Sequence, residues 1–441
     1  MPDSAPSDSL RPWKEITLAP AVNQIRSMLA DDEKQYLTWL TSEKYEGWGA
    51  IVELGVWLGS SSAALAEGLR RRGSKAKIQS FDRFVWEDYM SAAASVDLKQ
   101  GDDFLPHYWR EIGDYHSWIE ARKIDLLEYS WTGGPIEILF VDSAKNWDLT
   151  NAILKGFGPH LEPERSRVVL QDFRFPYAHC LPLIFDSRPD VWKQVEAIDD
   201  SHTVTFMPLK PLFGRCGIET CYSEESFPVA SAEHLLRSRM TRESISTRGS
   251  LLGALYRKYL IDGSIEGARK LKQEVIAAGI NESDLRSAED PHIVVTRGWA
   301  AYNAGDYQSA RTAAERWLSI ATHRSINILT LLGFSCLRSG DLPAAEQTMK
   351  EVSALDGDYA PGRLFRAELA IRKGRHEEAA SEALAVLRTA PSDETTIRWS
   401  LNLLTQAWNG KDPGESRAQA LREISFLSQS PAFLDWLRQK S

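Results

Sequence analysis

Residues 51–69 read IVELGVWLGSSSAALAEGL, a carboxylate, two glycines and three hydroxyls in the order a ligand-binding turn requires. An apolar run delivers Glu53, then Gly55 and Gly59 follow four residues apart, and Ser60, Ser61 and Ser62 stand where an apolar-faced helix wants its N-cap. Glycine tolerates positive φ and lets a ligand reach the backbone, and small hydroxyl residues cap helix starts. The spacing is G-x-x-x-G instead of G-x-G-x-x-G, and an acidic residue sits two before the first glycine. Both features disfavour a dinucleotide pyrophosphate on the helix N-terminus. A cationic portion of a ligand suits Glu53 better. The run KIQSFDRF then places Asp82, with Arg83 beside it, 23 residues past Gly59, where a strand-end carboxylate can accept both ribose hydroxyl protons.

Further candidates follow along the chain. Asp125 lies in IDLLEY, Asp142 and Lys145 in FVDSAKNW, and Asp172 in LQDF. Asp142 and Asp172 offer oxygen donors of the kind Mg²⁺ takes, and equally suit the wall of a polar cleft. Lys145 acts as a proton acceptor only if burial lowers its pKa, and is otherwise an ordinary solvated lysine. His179, beside Cys180, reads as a hydrogen-bonded loop residue within reach of the cleft. The cations Arg70, Arg71, Arg72, Lys75 and Lys77 stand at a helix end, where they complement the dipole.

These groups need a frame, and the pattern of apolar residues supplies one. Helical spacing over residues 22–40 gives way to short apolar runs at 50–54, 77–81, 117–121, 136–141 and 167–170, separated by amphipathic stretches. That alternation predicts an α/β domain with a parallel sheet and right-handed crossovers. Runs at 202–208 and 216–222 predict a closing antiparallel hairpin. Residues 1–20, rich in Pro, Ser and Asp, read as a mobile leader, and residues 21–230 as the α/β domain. Beyond residue 230 the chain is helical, with turn glycines Gly305, Gly340 and Gly374 at intervals of 35 and 34 residues and a small residue five positions after each (Ala310, Ala345, Ala379). Weaker copies surround Gly263 with Ala268 and Gly410 with Ala418. This phasing resembles the tetratricopeptide repeat, so residues 231–441 are expected to form an all-α repeat domain that binds a protein partner or joins protomers.

Glu53, Gly55, Gly59 and Asp82 resemble the first two motifs of the class I S-adenosylmethionine-dependent methyltransferases, whose Rossmann-like parallel sheet carries a terminal antiparallel hairpin. Over residues 30–225 the chain is most similar to the macrocin O-methyltransferase-like group, which methylates hydroxyls of sugars and other small molecules. The resemblance implies a cofactor site of Glu53, Gly55, Gly59, Ser60, Ser61, Asp82, Arg83 and Asp125, the last near the adenine amino group. It implies acceptor-facing catalytic residues Asp142, Lys145 and Asp172, with Asp142 and Asp172 as metal ligands. The group's Asp-Gly-Asp-His-x-Tyr reads here Asp142-Ser143-Ala144-Lys145-Asn146-Trp147. Lys145 therefore holds the place of the histidine, and the second carboxylate of each pair is missing. Mg²⁺ is consequently not favoured, and little or no metal dependence is expected. The aromatic insert from Phe84 to Trp118, with Trp86, Tyr89, Tyr108 and Trp109, is expected to wall or cover the acceptor. Methyl transfer is in-line, so the protein must align the acceptor oxygen, exclude water and remove a proton. The competing reading is a scaffold or regulatory protein with a degenerate methyltransferase-like domain.

Composition bounds these readings. The chain has 441 residues, with 52 Lys+Arg against 61 Asp+Glu, a net charge of −9 and a pI near 5.6. General attraction to nucleic acid is not expected. A mean hydropathy of −0.33, with no long apolar run, gives no membrane span. Four cysteines (Cys180, Cys216, Cys221, Cys336) form no C-x-x-C pair, and a reducing cytoplasm is expected. The 15 tryptophans are read first as core.

Overall fold

The computed structural model describes residues 11–87, 90–91, 94, 96–212, 221–280, 283–289, 292–321, 323–389, 393–408, 422, 424–425, 427 and 430–438. Two compact units are present, Met1–Tyr259 with Lys270–Ala288, and Leu260–Arg269 with Glu289–Ser441.

The first unit is built on a seven-stranded sheet. Its strands are β1 (Ala50–Leu54), β2 (Ile78–Asp82), β3 (Ile119–Lys123), β4 (Ile136–Val141), β5 (Arg167–Leu170), β6 (Trp192–Ala197) and β7 (Val204–Pro208), in the order β3-β2-β1-β4-β5-β7-β6. The first five are parallel; β7 pairs antiparallel with both β5 and β6. Strand β4 is buried at all six positions, which is why it reads as an uninterrupted apolar run. The closing pair is antiparallel as expected, but its strands differ. The edge strand is β6, not 216–222, of which 216–220 lie outside the described residues. Strand β6 (WKQVEA) buries fully only Trp192, so it carries no apolar run to announce it.

Helices of this unit are α1 (Pro20–Asn23), α2 (Asp31–Trp39), α3 (Ser60–Arg72), α4 (Leu105–Ile112), α5 (Trp147–Phe157), α6 (Cys180–Asp186), α7 (Val229–Met240), α8 (Ile245–Asp262), α9 (Ile265–Ala277) and α10 (Ser283–Ala288), with the end of α8 and the start of α9 assigned to the second unit. Helix α3 ends at Gly73 (φ +69), and Arg70 and Arg71, two cations of the basic run, both close on the buried Glu67 at 2.7 Å. Part of the expected leader is fixed: Trp13 is 3% exposed and packs on Tyr36 and Trp39.

The boundary expected at residue 230 also moves. Helices α7 and α8 belong to the first unit because buried charges bind them to the sheet's loops. Arg174 meets Glu243 at 2.8 Å, Glu243 also takes Arg239 at 2.6 Å, and Lys258 meets Glu224 at 2.8 Å. A buried charge must be paired in this way or be heavily penalised.

The second unit is a run of helical hairpins: α11 (His292–Asn303) with α12 (Tyr307–Ile320), α13 (Ile326–Arg338) with α14 (Leu342–Leu355), and α15 (Ala360–Arg372) with α16 (His376–Arg388), followed by α17 (Glu394–Trp408) and α18 (Pro431–Arg438). Gly305, Gly340 and Gly374 turn the chain at φ +82°, +82° and +70°, and Asp306 and Asp341 cap the following helices through Ser309 N–H and Ala344 N–H. Ala310, Ala345 and Ala379 are fully buried where the helices meet. The flanking copy at Gly410 and Ala418 lies outside the described residues. First helices also pack on one another: Phe334 of α13 contacts Trp299 of α11 at 5.8 Å, Phe365 of α15 at 5.0 Å and Trp399 of α17 at 4.8 Å between ring centroids. A Cβ on Gly333 would lie 2.3 Å from the Phe365 ring. Gly333→Ala is therefore expected to cost about 1–3 kcal/mol by overpacking, measured by chemical unfolding. Gly357→Ala, whose Cβ would meet only Ser353 O at 3.7 Å, is the near-neutral control.

Candidate functional site

Strand β1 lies between β2 and β4, so crossovers leave it toward opposite sides and a crevice opens beyond the strand ends. Gly55, Asp82 and Asp142 stand at that edge. Gly55 has φ +87°, and a Cβ there would come within 3.2–3.3 Å of the Asp142 backbone and Ser143 Cβ, so only glycine lets the two loops approach. Asp82 ties the loops together: Val56 N–H donates to Oδ2 at 2.9 Å and Phe84 N–H to Oδ1 at 2.8 Å. Trp57 (φ +41°) and Phe84 (φ +53°) hold left-handed backbone beside it, the kind of conformation that clusters at ligand sites.

A cavity of about 400 Å³ opens there, lined by Gly55, Trp57, Asp82, Arg83, Asp125, Asp142, Ser143, Lys145, Asn146 and Asp148, with apolar Met28, Val85, Met90, Leu126, Leu127 and Leu149. Its size falls in the usual small-molecule range of roughly 300–1,000 Å³. The wall is acidic: carboxylates of Asp82, Glu87, Asp125, Asp142 and Asp148 face two cations, Arg83 and Lys145. Arg83 pairs with Glu87, and Lys145 Nζ lies 2.8 Å from Asp172 and 3.6 Å from Asp142. Burial raises the Asp82 carboxyl above its usual range against the Val56 and Phe84 N–H bonds. Asp142 is pushed up to about 7, by burial first and then by the charges of Asp172, Glu33 and Glu53, with Lys145 opposing.

Asp172 is 8% exposed and stands behind Lys145. Gln171, with its amide nitrogen toward the carboxylates, donates to Asp142 Oδ1 at 2.9 Å and to Asp172 Oδ1 at 2.8 Å. The space between the two carboxylates is thus taken by an ammonium and an amide. Among the described residues no three His, Cys, Asp or Glu side chains group to hold a metal ion. Two carboxylates whose shared space already holds an ammonium and an amide, both hydrogen-bond donors, do not fit Mg²⁺, which takes near-octahedral oxygen coordination.

Other expected site residues lie elsewhere. Glu53 is fully buried and accepts Ser62 Oγ at 2.7 Å and Ser80 Oγ at 2.6 Å. Burial raises its carboxyl in spite of these bonds, and it does not face the cavity. Ser60 and Ser61 are buried in the first turn of α3, and neither caps it, since Gly59 is the cap residue without a side-chain bond. Gly59 makes room for protein, not ligand: a Cβ there would lie 2.3 Å from Ile112 Cγ2 and 3.0 Å from the Tyr108 ring. The aromatic insert is mostly core. Trp86, Phe104 and Tyr108 are fully buried, Trp109 is 36% exposed, and Tyr89 lies outside the described residues. His179 is buried, its Nε2 3.0 Å from Glu224, which also accepts Trp147 Nε1–H. Burial notwithstanding, His179 and Lys258 hold the Glu224 carboxyl well below its ordinary range. Gln171, Ser143 and Asn146 join the site without having been singled out; the only sequence signal for Gln171 is a polar residue between the buried Leu170 and Asp172.

Compared with known proteins, the chain matches no family model and no curated protein sequence.

Proposed function

We propose that the first unit is an S-adenosylmethionine-dependent O-methyltransferase acting on a sugar or other hydroxylated small molecule of natural-product or glycan type. The second unit is, in this reading, a tetratricopeptide-like array for partner binding or self-association. The observation that carries the proposal is the acidic crevice at the β1/β4 strand ends, with both of its cations already paired. Such a wall suits a cationic, hydroxyl-bearing ligand and repels a pyrophosphate. Two lining residues, Trp57 and Ser143, also carry a buried polar atom (Nε1, Oγ) without a partner among the described residues, a demand a ligand can meet.

Asp82 would hold the ribose hydroxyls and Asp125 the adenine amino group, while the backbone after Gly55 admits the amino-acid portion. The bound cofactor supplies an electrophilic methyl carbon on a sulfonium. Asp142, inside the cavity and poised near neutrality, takes the acceptor's hydroxyl proton as its oxygen forms the new C–O bond. The electrons of the broken C–S bond go to sulfur. The Lys145 ammonium orients that oxygen.

Titration calorimetry with S-adenosylmethionine, its demethylated product and NAD tests the reading. Wild type is expected to bind the first two and not NAD. Asp82→Ala is expected to weaken S-adenosylmethionine by about 1.5–3 kcal/mol, the value of hydrogen bonds to a charged group. Equal affinity in both proteins, or NAD binding alone, overturns it.

A further inference from the structure

The cluster that fails as a metal site has a chemistry of its own. Asp142 and Asp172 end neighbouring strands β4 and β5, and their negative charges would repel across the crevice if nothing lay between them. Lys145 Nζ sits 2.8 Å from Asp172 Oδ2 and 3.6 Å from Asp142 Oδ1. With its amide nitrogen toward them, Gln171 also donates to both carboxylates, and its own backbone is fixed by Val141 O, which accepts Gln171 N–H at 3.1 Å, and by Thr203 Oγ1, which donates to Gln171 O at 3.2 Å. Lys145 lines the cavity and its side chain is 48% exposed. Its ammonium therefore serves the carboxylates from the wall of the cavity.

We propose that the Lys145 ammonium is a built-in cation, occupying the position between Asp142 and Asp172 that a divalent metal would otherwise take, so that an acceptor entering the site meets an ammonium in place of a metal ion. A protonated amine brings one charge and up to three directed hydrogen bonds, where a metal brings two charges and open coordination positions. The role of Lys145 toward an acceptor rests on the methyltransferase reading; its exclusion of metal does not.

The test uses Mn²⁺ alone with the full chain, followed by its electron paramagnetic resonance signal, and needs no methyl donor. Its result is independent of whether S-adenosylmethionine binds. Wild type is expected to take up no Mn²⁺ sensitive to Asp172→Asn. Lys145→Met, which keeps an apolar stem on a half-exposed residue, is expected to bind Mn²⁺ at least tenfold more tightly than wild type, and Lys145→Met with Asp172→Asn to lose the gain. Circular dichroism verifies that each variant is folded. Mn²⁺ binding by wild type that Asp172→Asn abolishes overturns the proposal. So does a folded Lys145→Met chain that gains no binding, because the ammonium would then not be filling a cation position.

Discussion

Glu243→Ala is expected to lower the unfolding free energy by about 3–5 kcal/mol, the cost of leaving buried charge without its partner. Glu243 pairs with Arg174 and is the nearer carboxylate partner of Arg239, whose second partner, Asp186, is at 3.2 Å. Both guanidinium groups are almost fully buried, and Arg239 also lies over the Phe173 ring at 4.7 Å. Removing the carboxylate strands Arg174, two residues after Asp172, and leaves Arg239 to the more distant Asp186. Urea unfolding at neutral pH measures the loss, and a change under about 1 kcal/mol would show that water reaches the pair. Burial raises the Glu243 carboxyl, but Arg174 and Arg239 outweigh it and the net shift is downward from 4.5. Its stabilisation is therefore present above that value and is lost as pH falls through the lowered one, so wild type and variant should converge in acid. For the same reason a chain ending at residue 230 is expected to be far less stable than one ending after residue 288, which retains α7, α8 and α10.

Asp142→Asn is expected to reduce methyl transfer by about 10²-fold or more with little change in S-adenosylmethionine affinity, the usual cost of losing a positioned proton acceptor. In wild type kcat/KM should rise with pH and level off above about 7, where the Asp142 carboxyl releases its proton; the variant should lose that limb. Stability moves in the opposite sense. A carboxyl whose pKa is raised on folding binds its proton more tightly in the folded chain, so ionising it costs stability as pH climbs from about 3.8 to about 7. Asp142→Asn should thus be slower yet no less stable than wild type at pH 8. Unchanged turnover in the variant would remove Asp142 as the base.

Much of the frame was legible because the inner parallel strands β1, β4 and β5, largely covered on both faces, read as apolar runs; β1, β2, β4 and β5 fall within a residue or two of expectation and the exposed edge strand β3 two residues later. Edge strand β6 escaped because five of its six residues are partly or fully exposed. Asp142, Lys145 and Asp172 were legible as one acceptor-facing group, and neighbouring strand ends bring them together. The sealing of Glu53 was not, since Ser80 comes from the adjacent strand and Tyr108, bonded to Ser62, from α4. Gly59 looked like a ligand gap for the same reason: its occupant, Ile112, is 53 residues away. The boundary near 230 misled because Arg239 and Lys258 sit on helices whose charges, read singly, belong on a surface.

The ring of Phe334 gives the helical unit a mechanical character. In an array whose units touch only their immediate neighbours, each junction is a hinge, and the whole flexes like a spring. Here Phe334 reaches past α15 to Trp399 of α17 while also meeting Trp299 of α11 and Phe365 of α15. A contact that skips a repeat acts as a cross-brace: opening the junctions on either side of α15 requires unstacking Trp399 at the same time. Helices α13, α15 and α17 should therefore deform together as one stiff arch.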